Sequence, residues 1–271
     1  MQTTTGIARS LLFVPGNRPE RFAKAVDSGA DAIIIDLEDA VPPAEKSIAL
    51  GNAISWLAEG ASAVVRINGI GTQWHAQEIA ALRDTDAVLM LPKAESLAGL
   101  ADLVAALGED RLIPLIETAA GITDADRICR VPGTIRIAIG NVDLAAELGV
   151  DPMSQTALAY ARGRVVLASA AAGILPPIDG VTTVLEPFDQ LLTDVAASRE
   201  FGFTGKLCIH PRQVEYVNAS LTPTETEIAW ATRIARVVHE GVVVIDNQMV
   251  DPPVLARAER ILRQADRATL S

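Results

Sequence analysis

Short apolar runs alternate with longer amphipathic stretches along most of the chain. Eight runs are predicted strands, and they lie at residues 10–14, 32–35, 63–67, 87–91, 112–116, 135–139, 177–178 and 207–209. Nearly all of them are continuously apolar, which is typical of strands buried on both faces. The stretches between them predict helices at residues 19–28, 45–59, 74–83, 97–107, 119–130, 155–172 and 188–201.

This alternation predicts an α/β fold with a parallel sheet. An open sheet that binds a dinucleotide would carry G-x-G-x-x-G after its first strand. Here the first strand ends in FVPGNR, and no P-loop pattern occurs elsewhere. Eight strand–helix units within 271 residues favour closure into a (β/α)8 TIM barrel.

The last quarter of the chain has a different pattern. Residues 224–239 predict a helix with one apolar face, residues 241–253 a short β-like flap that turns at Asp246-Asn247, and residues 255–265 a final helix. The sequence therefore predicts a catalytic barrel over residues 1–222 and a C-terminal helix and lid extension over residues 223–271.

The charge and the apolar content exclude some partners. The formal net charge is −11, from 34 acidic and 23 basic side chains, which disfavours nucleic acids and anionic membrane surfaces. No stretch approaches the roughly 20 apolar residues of a membrane-spanning helix, and the first residues lack the pattern of a signal peptide. With two well-separated cysteines, we expect a cytoplasmic protein that binds neither nucleic acid nor membrane.

Polar residues follow the predicted strands at the places where each strand ends. In a (β/α)8 barrel these positions converge on one mouth, where active sites lie. The residues concerned are Arg18, Asp36, Glu38, Asp39, Arg66, Asn68, Lys93, Glu95, Glu117, Asn141, Asp143, Asp179 and His210.

Glu117 and Asp143 follow adjacent strands of this predicted barrel. Adjacent strands lie about 4.8 Å apart, so the two carboxylates can share one cation, and two carboxylates are a usual protein contribution to a Mg²⁺ site. The three histidines lack the spacing of zinc ligands. Each acid alone is equally well explained as a salt bridge at the rim of the barrel.

Arg66 ends a buried strand, where an arginine is costly unless it pairs with an anion. Its planar guanidinium suits a bidentate contact with a substrate carboxylate. It also suits a structural pair with Asp36 or Glu38, and the two roles are compatible. Further along the surface, Arg18 and Lys24 belong to a basic cluster with Arg9 and Arg21, which would attract phosphates or, alternatively, form a solvated helix face.

Seven blocks of sequence resemble the citrate lyase β-subunit-like family, which also contains malyl-CoA and citramalyl-CoA lyases and related thioesterases. In chain order they are RSLLFVPGNRPERFAKA, DAIIIDLEDAVPPAEK, VVRING, LMLPKAES, PLIETAAGI, AIGNVDLAAELG and GFTGKLCIHPRQ, with MVDPP near the end. The resemblance implies a barrel, a homotrimer or a dimer of trimers, and cleavage or formation of a carbon–carbon bond beside a thioester.

The resemblance also implies roles for single residues. Glu117 and Asp143 would hold Mg²⁺, and Arg66 together with Glu117 would bind the α-keto acid, which is oxaloacetate, glyoxylate or pyruvate. Phe13, Arg18 and Lys24 match positions that contact the acyl-CoA, and Asp36 and Glu38 would brace the arginine and a water on the metal. Asp251 matches an aspartate that acts on the active site of a neighbouring subunit, although a helix N-cap explains it as well.

Three functions agree with these residues. The first is a Mg²⁺-dependent lyase that cleaves a 3-hydroxyacyl-CoA such as citramalyl-, malyl- or citryl-CoA, with thioesterase or malate synthase activity on the same site as a variant. The second is a metal-dependent pyruvate aldolase that acts on free aldehydes and does not need the basic cluster. The third is a non-catalytic subunit, which the joint presence of Arg66, Glu117 and Asp143 disfavours.

Overall fold

The computed structural model of the protein describes residues 7–108, 110–237, 243–245 and 248–268. These residues form two compact units, the first ending at Asn218 and the second beginning at Ala219. The boundary predicted from the sequence, after residue 222, lies four residues later. None of the described helices is both long and apolar enough to cross a membrane.

The first unit contains eight parallel strands that close into a barrel. Each strand pairs with the next along the chain, and the eighth pairs with the first. The prediction of a (β/α)8 barrel is therefore confirmed. The strands are β1 (Ser10–Pro15), β2 (Ala32–Asp36), β3 (Val64–Arg66), β4 (Val88–Leu91), β5 (Leu112–Ile116), β6 (Ala138–Ile139), β7 (Ile178–Asp179) and β8 (Gly205–Cys208).

Helices follow these strands and form the outer layer. They are α1 (Phe22–Val26), α2 (Lys46–Ala58), α3 (His75–Leu82), α4 (Leu97–Leu107), α5 (Ala119–Thr123), α6 (Ala125–Cys129), α7 (Asn141–Leu148), α8 (Ala159–Ala172), α9 (Asp189–Phe201) and α10 (Pro211–Leu221). Short 3₁₀ turns at Pro19–Arg21 and Pro43–Glu45 precede α1 and α2.

The structure corrects two of the predicted elements and adds two helices. The helix predicted at residues 119–130 is two helices, because Asp124 leaves the helical conformation at φ −91° and ψ 10°. Helices α7 and α10 were not predicted. Strand β6 covers only two residues of the predicted run at residues 135–139, and within that run Arg136 is fully buried and donates hydrogen bonds to the carbonyls of Ala8 and Pro176 at the end of the barrel where the strands begin.

Aliphatic side chains fill the interior of the barrel. The strands contribute alternate residues to this core, as their pleat requires. Its buried members are Ala8, Leu11, Ile34, Val64, Val88, Met90, Ile113, Leu115, Ala138, Ile178 and Leu207. This packed interior closes the barrel below the mouth, so polar chemistry is confined to the ends of the strands and the loops beyond them.

The second unit consists of two helices and a pair of strands. Helix α11 (Glu225–Val237) precedes the antiparallel strands β9 (Val243–Ile245) and β10 (Gln248–Val250), and α12 (Pro252–Ala268) follows them. The β-like flap is thus present, whereas the turn predicted at Asp246-Asn247 lies outside the described residues. The buried core of this unit contains Ala231, Ile234, Val250, Ala258 and Ile261.

Candidate active site

Arg66 and Asp36 form a bidentate ion pair at the mouth of the barrel. They are register partners on β3 and β2, and Arg66 Nε and Nη2 donate to the two oxygens of Asp36 at 2.7 and 2.6 Å. Burial would lower the pKa of Arg66, but its hydrogen bonds and charge contact with Asp36 raise it overall. Arg66 is therefore a permanent cation, and one edge of its guanidinium is already occupied.

Glu38 joins this pair to Lys93. Its Oε2 lies 3.0 Å from Arg66 Nη1 and its Oε1 accepts from Lys93 Nζ at 3.1 Å. Asp36 fixes the turn that carries Glu38, because its carboxylate accepts from the backbone N–H groups of Glu38 and Ala40. Burial raises the pKa of Glu38, against the lowering effect of Arg66.

Phe13 lies over the guanidinium of Arg66. The centre of its ring is 4.7 Å from Arg66 Cζ, a distance at which a cation is attracted to an aromatic face. Because Phe13 comes from β1 and Asp36 from β2, the neighbouring strands restrain the guanidinium both at its face and at its edge.

A second network, which the sequence did not reveal, lies behind Glu38. Lys46 is buried and donates three hydrogen bonds of 2.7 Å, to the carbonyls of Leu37 and Glu38 and to Asn68 Oδ1. Asn68 in turn donates its backbone and side-chain N–H groups to the carboxylate of Glu78. The sequence signal was available, since Lys46 and Glu78 are charged residues on the helices that immediately follow β2 and β3.

Glu117 lies at the end of β5 and is 3% exposed. Its Oε1 accepts from the backbone N–H of Lys93 at 2.9 Å. A side chain at position 140 would clash with its Oε2 and Cβ atoms, so Gly140 leaves the space that this carboxylate fills. Burial raises the pKa of Glu117 to about 7, and the negative charges of Asp143 and Glu38 contribute in the same direction.

Asp143 lies in the first turn of α7, directly after β6. It is exposed, and its negative charge contributes to the raised pKa of Glu117. Both supply hard oxygen donors, which suit Mg²⁺. The described residues contain no group of three or more acidic, histidine or cysteine ligands, and two carboxylates fit a Mg²⁺ ion whose remaining positions are taken by water or substrate oxygens.

The basic cluster predicted near the N-terminus is divided in the structure. Arg9 pairs with Asp31 in a two-pronged contact, with both N–O distances 2.8 Å, at the start of β1. Arg18 and Lys24 lie beyond the end of β1, are exposed, and form no ion pair with any described residue. Arg18 and Lys24 thus keep their charges available to an anion in solution.

Asp179 is not part of the mouth, contrary to the sequence prediction. Because Ile178 fills the barrel interior, the next side chain on β7 faces outward. Asp179 is fully buried and pairs with Arg162 at 3.2 Å and Lys206 at 3.3 Å. It therefore stabilises the layer between the barrel and its helices.

A cleft of about 680 Å³ lies at the ends of β2, β3 and β4. Glu38 and Lys93, which belong to the ion-pair network of Arg66, also line this cleft. The lining residues are Glu38, Asp39, Val41, Pro43, Lys46, Asn68, Gly69, Ile70, Thr72, Trp74, Lys93, Glu95 and Ser96. A ligand in this cleft would lie beside Glu38 and Lys93.

Asp251 belongs to the second unit, where it caps a helix. Its Oδ1 accepts from the backbone N–H of Val254 at 3.1 Å, and Pro252 and Pro253 occupy the first positions of α12. This is the N-cap arrangement that the sequence suggested as one explanation. The role in a neighbouring subunit stays a prediction.

Comparison with protein families identifies the group to which the sequence belongs. The family model described as HpcH/HpaI aldolase/citrate lyase matches residues 9–211, and a model described as C-C bond lyase of the TIM-barrel fold matches residues 160–268. The chain belongs to the HpcH/HpaI aldolase/citrate lyase family. It is therefore a member of a family of carbon–carbon lyases, and the predicted resemblance is confirmed.

Individual relatives cover nearly the whole chain. The citrate lyase subunit beta-like protein of Mycobacterium tuberculosis is 36% identical over 267 residues, which are 95% of this chain and 96% of the relative. A (3S)-malyl-CoA thioesterase of Cereibacter sphaeroides is 33% identical over 95% of this chain and 94% of its own length. The structure of CitE from M. tuberculosis in complex with magnesium, acetoacetate and coenzyme A matches with a TM-score of 0.82 and 35% identity over 96% of this chain and 99% of that one.

Proposed function

We propose that this protein is a Mg²⁺-dependent carbon–carbon lyase that cleaves a 3-hydroxyacyl-CoA thioester into an acyl-CoA and an α-keto acid. The candidate substrates are citramalyl-, malyl- and citryl-CoA. The observation that carries the proposal is the position of Glu117, a buried carboxylate with a raised pKa beside a second acid, at a barrel mouth that also contains Arg66. The M. tuberculosis structures of CitE with magnesium and acetoacetate or pyruvate, and of a citrate lyase beta subunit with magnesium and oxaloacetate, support it.

Glu117 and Asp143 are the residues that would hold the cation. A bound Mg²⁺ would act as a Lewis acid that stabilises negative charge on the substrate oxygens at the scissile bond. Its positive charge would also offset the repulsion between the two carboxylates, which destabilises the metal-free protein.

Arg66 would bind the carboxylate of the keto acid. Asp36 occupies its Nε and Nη2 atoms, so the substrate would use the edge that includes Nη1, which now contacts Glu38. Since Lys93 also contacts Glu38, this carboxylate keeps a cationic partner when Arg66 turns to the substrate. Fixed orientation of the substrate carboxylate would align the scissile bond with the thioester.

Arg18 and Lys24 would attract the phosphates of the CoA carrier. Phe13, whose ring lies over the guanidinium of Arg66, would contact the acyl-CoA. We place the enzyme in the cytoplasm as a homotrimer or a dimer of trimers, in which Asp251 of one subunit supplies a carboxylate to the site of another. Each of these assignments extends the resemblance to the family.

Hydrolysis of the thioester is the second candidate activity. The observation that favours it is the identity of 33% with a (3S)-malyl-CoA thioesterase over 95% of this chain. Carbon–carbon cleavage and thioester hydrolysis require the same contacts with a malyl-type substrate. They differ in whether the thioester bond is broken.

The test is a panel of CoA thioesters incubated with the purified protein in Mg²⁺ or in EDTA, with separate assays for keto acid and for free thiol. The proposed lyase should release keto acid without free thiol, and only when Mg²⁺ is present. Thiol release with malate as the second product would identify a thioesterase instead. Condensation of pyruvate with a free aldehyde, without turnover of any thioester, would favour the aldolase and contradict the proposal.

A further inference from the structure

Lys93 contacts two carboxylates with two different parts of the residue. Its backbone N–H donates to Glu117 Oε1 at 2.9 Å, and its side-chain Nζ donates to Glu38 Oε1 at 3.1 Å. Half of the side chain is exposed, because the ammonium lies in the cleft beside the mouth. One residue thus separates two acids that repel each other.

The backbone of Lys93 is in the left-handed region, with φ +49°. A residue with a Cβ atom rarely adopts this conformation, and when it does so at a functional site the surrounding structure must impose it. Among the described residues, Asp110 is the other non-glycine residue with positive φ, at +61°. Asp110 lies in the loop before β5, whereas Glu117 follows the other end of that strand.

We propose that Lys93 is a positioning residue whose left-handed backbone aims its N–H at one oxygen of Glu117 and leaves the other oxygen for the divalent cation. This inference rests on the proposed metal site. The N–H fixes the rotation of the Glu117 carboxylate, since Oε1 accepts this hydrogen bond and Oε2 packs against Gly140, which carries no side chain that would cover it. The ammonium independently holds Glu38 against Arg66, so the backbone and the side chain of Lys93 have separable functions.

The two functions can be separated by substitutions that differ only in backbone preference. Lys93→Gly and Lys93→Val both remove the ammonium, but glycine adopts positive φ freely and a β-branched residue strongly avoids it. The matched pair Asp110→Gly and Asp110→Val applies the same backbone change at the far end of β5. Lys93→Arg keeps a cation at the cleft and tests the side chain alone.

Binding of Mn²⁺ to the substrate-free protein, followed by electron paramagnetic resonance, is the main measurement. We expect Lys93→Gly to bind Mn²⁺ like the wild type and Lys93→Val to bind it about tenfold more weakly, the loss typical of one hydrogen bond to a charged group. Asp110→Val should lower the melting temperature relative to Asp110→Gly without changing Mn²⁺ affinity. In turnover assays, Lys93→Gly should lower kcat and Lys93→Arg should restore most of it.

Equal Mn²⁺ affinity of Lys93→Val and Lys93→Gly would overturn the inference while leaving the metal site intact. If Lys93→Val does not fold, Lys93→Ala imposes a milder form of the same restriction and is compared with Lys93→Gly in the same way. A wild-type protein that binds no Mn²⁺, or that binds it equally well after Glu117→Gln, would overturn the proposed function and this inference together.

Discussion

Replacing Glu117 by glutamine should stabilise the metal-free protein while removing a proposed metal ligand. Burial raises the pKa of the Glu117 carboxyl from 4.5 to about 7, with further contributions from Asp143 and Glu38. At about 1.4 kcal/mol per pH unit, this difference corresponds to roughly 3 kcal/mol of lost stability when the carboxyl is ionised. Glutamine carries no charge and still offers an oxygen to the N–H of Lys93.

The pH range of the effect follows from the direction of the pKa shift. Below pH 4.5 the carboxyl is protonated in the folded and the unfolded protein, so ionisation costs nothing. Between pH 4.5 and about 7 the unfolded state releases its proton first, and the free energy of unfolding falls as pH rises. Above pH 7 the carboxyl is ionised in the folded protein as well, and the full loss of stability is present. There the free energy of unfolding of Glu117→Gln should exceed that of the wild type by about 3 kcal/mol.

Urea denaturation in EDTA at several pH values measures this difference. The comparison between variant and wild type cancels the contributions of distant titrating groups. Added Mg²⁺ should stabilise the wild type, since a ligand that binds the folded state raises its stability, and should not stabilise the variant. Glu78→Gln is a matched control, because Glu78 is also buried with a raised pKa, and its response to Mg²⁺ should equal that of the wild type.

A difference between Glu117→Gln and the wild type that is constant across pH would refute this reasoning. So would a Mg²⁺ response that survives the substitution, because the cation would then bind elsewhere.

Substitutions at four residues test the remaining roles. Arg66→Lys loses the bidentate contact with Asp36, so the free energy of unfolding measured in urea should fall by about 1–3 kcal/mol. Its kcat should fall more than its affinity for the thioester. Arg18→Ala and Lys24→Ala should weaken CoA-thioester binding in calorimetry, most strongly at low ionic strength, without affecting the binding of pyruvate alone. Asp251→Asn should keep the stability of the wild type within about 1 kcal/mol but lower kcat, and mixing it with Arg66→Ala should restore activity.

Each of these substitutions has an outcome that contradicts its premise. An unchanged kcat in Arg66→Lys would make Arg66 a structural pair of Asp36 alone. Equal losses for thioester and pyruvate would assign Arg18 and Lys24 to folding. A mixed oligomer without activity, formed from parents that assemble and bind metal, would place Asp251 outside the shared site.

The barrel was predictable because its strands are buried on both faces and therefore apolar throughout. Helix α7 was not predicted, since it begins immediately at Asn141 after the two-residue strand β6 and its first residues were interpreted as the exit of a longer strand. Arg136, a charged residue inside the run predicted as a strand, is fully buried and hydrogen-bonded to distant carbonyls such as that of Ala8. Contacts of this range leave no periodic pattern in a sequence.

The residues at the mouth of the barrel could be predicted from the sequence, but the ion pairs that they form could not. Strand ends identify Asp36, Glu38, Arg66 and Glu117 as neighbours, yet only the geometry shows that Asp36 takes the bidentate edge of Arg66. Lys93 was recognised as a charged residue at a strand end, whereas its most informative contact is made by its backbone. A backbone N–H is the same in every residue but proline, so the sequence carries no sign of it.

The helix-capping hydrogen bond of Asp251 explains only part of why an aspartate occupies this position. The structure satisfies its cap, with Oδ1 bound to the N–H of Val254. Asparagine and serine cap helices about as well as aspartate does, so this contact accounts for a short polar side chain and not for a charge. The positive end of the helix dipole favours a carboxylate by roughly 0.3–1 kcal/mol, which is a stability effect without a consequence for turnover. Asp251→Asn keeps the cap and removes the charge, and the ratio of its kcat loss to its stability loss therefore decides between a helix cap and a catalytic carboxylate.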